Sequence, residues 1–72
     1  MANAPIHKMK IGLISATIWE NDKFYSVEFS RAYKNGDDDW KSTTGFTVGD
    51  LPVVGKLTDM ATDWIMANPI KD

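Results

Sequence analysis

Residues 23–34, KFYSVEFSRAYK, alternate in character from one residue to the next. Read with period two, they put Tyr25, Val27, Phe29 and Tyr33 on one face and Phe24, Ser26, Glu28, Ser30 and Ala32 on the other, the signature of a half-buried strand. Such a strand needs neighbours, and this one is placed to be the middle of a small sheet.

The neighbours are found on both sides. Residues 8–20 are rich in Ile, Thr and Trp, which suit a pleated surface, and Gly12 is the one interior position that permits a bulge or sharp bend. Asn21 and Asp22 form a two-residue turn signal; a tight hairpin there pairs Trp19 with Phe24, Ile18 with Tyr25, Ala16 with Val27 and Ile14 with Phe29. Apolar meets apolar in that register. Asn35, Gly36, Asp37 and Asp38 mark the next turn. A four-residue loop puts Tyr33 beside Trp40, Val27 beside Phe46 and Tyr25 beside Val48, whereas a five-residue loop would set Phe46 against Glu28. The expected strand runs over residues 39–48.

Gly49 and Asp50 end the sheet. Asp50 is a good helix N-cap and Pro52 falls in the first turn, where its missing N–H costs nothing. Leu51, Val54, Leu57, Ala61, Trp64 and Ile65 recur at helical spacing, Lys56, Asp59 and Asp63 lie away from that stripe, and Asn68 with Pro69 stops the helix. Val53, Met60 and Ala67 widen the apolar surface beyond what one small sheet has to cover, a seam for a second copy. The expected fold is α+β: a three- or four-stranded antiparallel meander sheet, four if Gly12 breaks the first strand, with one C-terminal helix packed on one face. Residues 1–7 read as a flexible N-terminal arm and residues 8–72 as the single domain.

A chain of 72 residues buries only about 60% of its unfolded surface, so association is a natural supplement. Without Cys there is no disulfide framework, thiolate metal site or cysteine nucleophile. The net charge of −2 is not that of a strongly basic nucleic-acid binder. With no apolar run of about 18 residues, neither a secretory signal nor a membrane span is indicated, and a cytoplasmic protein is expected. No cofactor or metal is expected either. The run Asp37, Asp38 and Asp39 lacks the alternating ligands of a calcium loop, Glu20 and Glu28 stand too far apart for paired acid and base work, and His7 has no partner in a terminal arm. An enzyme is not expected.

The face opposite the helix carries Ser15, Thr17, Trp19, Phe24, Ser26, Glu28, Ser30, Lys41 and Thr43. Rings on which bases stack, hydroxyls and nearby cations suit unpaired nucleic acid. The expected binding residues are Trp19, Phe24, Ser26, Lys10, Arg31, Lys34 and Lys41, and the expected dimer interface is Val53, Met60 and Ala67. The plainer alternative is an ordinary cross-strand aromatic pair on a solvated face.

The blocks ATIWEN, from Ala16, and FYSVEFSRAYK, from Phe24, with Trp40 to Thr43 and the terminal helix, resemble a small family of hypothetical bacterial proteins, a likeness that brings no chemistry with it. In architecture the chain is similar to single-stranded-DNA-binding transcriptional coactivators, with Whirly and PUR-domain proteins as relatives. That resemblance implies a homodimer acting in transcription or DNA maintenance, with sheets binding single-stranded DNA or RNA and helices joining the copies. The chain departs from it in its acidity and in lacking the lysine-rich strand motif of Whirly proteins. A protein-interaction or assembly module is the alternative function.

Overall fold

The computed structural model describes residues 4–70. Strands β1 (Pro5–Ile11), β2 (Ile14–Glu20), β3 (Tyr25–Lys34) and β4 (Trp40–Thr43) are followed by a 3-10 turn, Val48–Asp50, and helix α1 (Leu51–Ala67). The sheet is an antiparallel meander in the order β1-β2-β3-β4, and α1 packs on it chiefly through β2 and β1. This is the α+β architecture the sequence predicts, with Gly12 dividing the first strand in two.

Gly12 has φ +60 while Leu13, like every other described non-glycine residue, avoids positive φ. With Ile11 facing Ile14, this is the two-residue type II′ connection, which wants Gly first. The same backbone preference corrects the next turn. A two-residue hairpin at Asn21 and Asp22 would need positive φ at Asn21, and in a type I′ turn at Asp22 as well, and neither adopts it. The connection is instead residues 21–24, closed by the Asn21 N–H donating to the Phe24 carbonyl at 2.9 Å. Ile18 therefore faces Val27, Ala16 faces Phe29 and Trp19 faces Ser26. The slip is by two residues, so each side chain keeps its face.

The β3-β4 register differs as well. Lys34 faces Trp40 and Tyr33 faces Lys41, which leaves a five-residue loop, 35–39, closed by the Asn35 N–H on the Asp39 carbonyl at 2.7 Å. The clash of Phe46 with Glu28 never arises because β4 ends at Thr43. There the Thr43 Oγ1 accepts the Gly45 N–H at 3.0 Å, a local turn that draws the chain off the sheet. Phe46 then packs against the core from outside any strand, and Val48, expected in the strand, is 84% exposed in the 3-10 turn.

Pro5 to His7 belong to β1 and pair with β2, so the sheet takes in part of the expected arm; the remainder at residues 1–3 lies outside the described residues. The core is small: Ile14, Ala16 and Ile18 from β2 against Leu57 and Ala61 from α1. Val53, Val54 and Met60 pack around it. Leu51, expected on the buried stripe, is instead 57% exposed.

Candidate nucleic-acid interface on the open sheet face

Residues opposite one another in an antiparallel ladder share a face, so the pairings assign every strand residue to a side. The helix side takes His7, Met9, Ile14, Ala16, Ile18, Val27 and Phe29. Across the open side run Lys8, Thr17 and Glu28 in one row, Lys10, Ser15 and Ser30 in the next, and Trp19 with Ser26 beyond them. At the other end of β3, Lys34 stands beside Trp40.

A groove of about 560 Å³ opens on this side. Trp19 forms one wall, with Thr17, Glu28 and Ser30 beside it and Ile6 and Lys8 from β1 along the rim. Ile6 reaches this position because β1 carries a bulge between Pro5 and His7, and a bulge re-aims the strand at the edge of a sheet. Ser15 and Ser30 share a hydrogen bond of 3.0 Å, and Asn21 donates to the Ser26 hydroxyl at 3.3 Å. These bonds fix the hydroxyls of Ser15, Ser26 and Ser30.

Cations outnumber carboxylates here. The strand residues on the open side include Lys8, Lys10 and Lys34, against Glu28. Lys34 Nζ lies 6.0 Å from the centre of the Trp40 ring, at the outer limit of a cation–π contact, and Trp40 is 56% exposed. Ser26, opposite Trp19, and Lys34, opposite Trp40, are eight positions apart on β3, so the two indoles stand about 26 Å apart along the strand direction.

Of the residues expected to bind, the structure brings Trp19, Ser26, Lys10 and Lys34 to this one face and removes the others. Phe24 lies in the 21–24 loop, 61% exposed, and forms no cross-strand pair with Trp19. Arg31 lies opposite Ile14 and Thr43 on the helix side, where its Nε is 3.2 Å from Asp50 Oδ2 and 3.3 Å from the Gly45 carbonyl. Its guanidinium fastens β3 to the segment leading into α1. Lys41 is opposite Tyr33 on that same side and pairs with Asp39 at 3.5 Å. Trp40, expected beneath the helix, and Lys8 were missed as open-face residues. Correct loop lengths around Gly12 and Gly36 would have found both.

Of the three residues expected at the dimer seam, two are half-buried within their own chain. Val53 and Met60 pack against the core of their own chain, while Ala67 is exposed. The large exposed apolar residues of the helix are Leu51 and Met66, which share a flank with Gly55, Thr58 and Thr62 at helical spacing.

Glu20 and Glu28 point to opposite faces, Glu20 being opposite Tyr25 and Glu28 opposite Thr17. Among the described residues no group of three or more acidic or His side chains is placed to hold a metal ion, and no helix is long and apolar enough to cross a membrane. No protein-family model, curated protein or solved structure matches the chain.

Proposed function

We propose that the protein is a non-enzymatic single-stranded nucleic-acid-binding protein, DNA first, that works as a homodimer through its open sheet face. The observation that carries this reading is the groove walled by Trp19 and lined by Thr17, Ser30 and Lys8 on a face with a lysine excess. Bases stack on the indole, hydroxyls and lysines meet phosphates, and the strand runs toward Trp40 and Lys34.

Binding of fluorescent single-stranded oligonucleotides at two salt concentrations, with a duplex control, tests it. Counterion release at three lysines predicts a slope of log affinity on log salt of about −2 per protomer. A salt-independent result, or a preference for duplex, overturns the reading.

A second reading is a protein-interaction module, favoured by the exposure of Val48, Leu51 and Met66 away from the open face. An apolar contact of that kind is insensitive to salt, so the same titration separates the two.

A further inference from the structure

The open face contains one residue that phosphate binding does not explain. Glu28 projects beside Thr17 and lines the same groove as Trp19. Trp19 faces Ser26, which makes Glu28 its diagonal neighbour, about 7–8 Å away across the ladder. The side-chain hydrogen bonds and ion pairs of the described residues leave the Glu28 carboxylate without a protein partner. A carboxylate among lysines repels a phosphate backbone and weakens indiscriminate binding. Its place beside a stacking ring is favourable only toward a ligand that brings hydrogen-bond donors.

We infer that Glu28 makes the Trp19 groove a guanine-selective pocket; this rests on the open-face reading above. A base stacked on the indole turns its Watson–Crick edge along the groove toward the neighbouring position. Guanine presents N1–H and N2–H side by side on that edge, a fork that matches the two oxygens of a carboxylate as a guanidinium does. Adenine and cytosine offer one amino donor next to a ring-nitrogen acceptor. Thymine and uracil offer one N–H flanked by two carbonyls, whose lone pairs face the carboxylate unfavourably. Single-strand recognition uses these edges once the base is unstacked from its neighbours. Thr17 and Ser30, each able to donate or accept, flank the carboxylate and adapt to the guanine O6 or to the sugar.

The test uses short oligothymidine probes carrying one central guanine, inosine or thymine, titrated at low salt with the wild type, Glu28→Gln and Trp19→Ala. The wild type is expected to bind the guanine probe about tenfold more tightly than all-thymine, as one bidentate base contact provides. Inosine, which lacks the N2 amine, loses most of that gain. Glu28→Gln removes the preference while binding all-thymine at least as tightly as the wild type, because the repulsion of phosphates is gone.

Equal wild-type affinity for guanine, inosine and thymine, with Trp19→Ala still weakening all three, overturns the inference and leaves the open-face reading standing. A guanine preference that survives Glu28→Gln overturns it too. Absence of binding to every probe overturns both.

Discussion

Trp64 joins the helix to two strands. Its ring stacks on His7 of β1, with centroids 4.9 Å apart and planes 12° from parallel, and takes the edge of Tyr25 from β3 at 5.7 Å. Tyr25 continues the chain of contacts, its hydroxyl donating to the Asn68 carbonyl at 2.5 Å, while Asn68 Nδ2 donates to the Trp64 carbonyl at 2.8 Å. The C-terminal end of the helix is thereby fastened to two strands. Trp64→Ala is expected to lose about 3 kcal/mol of stability, the lower end for an aromatic truncation because the ring is only half-buried; chemical denaturation measures it. Tyr25→Phe keeps the ring and loses one hydrogen bond, about 1 kcal/mol. Trp19 is half-buried as well, but it has none of the inter-element ring contacts of Trp64. Trp19→Ala should therefore cost less stability than Trp64→Ala while weakening single-strand binding by about 1–3 kcal/mol, as loss of one stacking partner does. A large fall in stability with unchanged binding would reverse the roles given to the two indoles.

The passage from β4 into α1 is held by charge. Asp50 takes the expected N-cap position of α1 but makes no side-chain cap bond to it; its carboxylate turns back, accepting the Thr47 N–H at 2.9 Å and meeting Arg31 at 3.2 Å. The Thr47 backbone N–H is the main cause holding the Asp50 carboxyl below its ordinary value of 3.8, with the Thr47 side chain and Arg31 adding and desolvation opposing. A carboxyl depressed in the folded state contributes stability above its unfolded value, and that contribution is lost as pH falls through the folded one. Asp50→Asn should therefore lower the melting temperature at neutral pH, and the gap to wild type should close as pH drops below the ordinary carboxylate range. A gap independent of pH would assign Asp50 to packing. Thr47 and Asp50 are three residues apart, a spacing legible in the sequence as a helix-start signal, but the partnership with Arg31 was not, because it depends on where β4 stops. The same limit explains the other misreadings. Period-two alternation assigned Trp19, Ser26, Val27 and Phe29 to their faces correctly, since a slip of two residues preserves sidedness. It could not assign Trp40 and Lys41, because an odd change in loop length inverts the faces of everything beyond it. Loop length in turn depended on turn geometry at Asn21 and at Gly36, which takes a positive φ, and the end of β4 on the Thr43 hydroxyl, effects that lie below what residue pattern reports.

At the scale of the whole molecule the fold is thin for its length, 47 × 29 × 15 Å along its principal axes. Its core consists of Ile14, Ala16, Ile18, Leu57 and Ala61. The chain exposes 5273 Å², whereas a folded monomer of 8.1 kDa exposes about 4500 Å² by the scaling of surface with mass. The excess, roughly 800 Å², follows from the thin shape and is similar in size to the share one partner contributes to a standard interface, which supports the proposed homodimer. Under the proposed homodimer, with Val53 and Met60 half-buried against the core, the helix flank bearing Leu51 at 57% exposure and Met66 at 75% is the surface we propose for the second copy. Asp59 and Asp63, seven and three residues before Met66, border that flank at its C-terminal end, while Lys56 lies further round the helix. Met66→Lys adds a charge at an exposed position without disturbing the core, so the variant should stay folded while its sedimentation mass falls from about twice 8.1 kDa to the monomer value at micromolar concentration. If each protomer offers one stacking groove, separating the copies should also weaken binding to long single strands more than to short ones, through the lost effective concentration of the second site. A wild type that sediments as a monomer at all concentrations would remove the dimer. One that stays dimeric with Met66→Lys would move the seam off this flank.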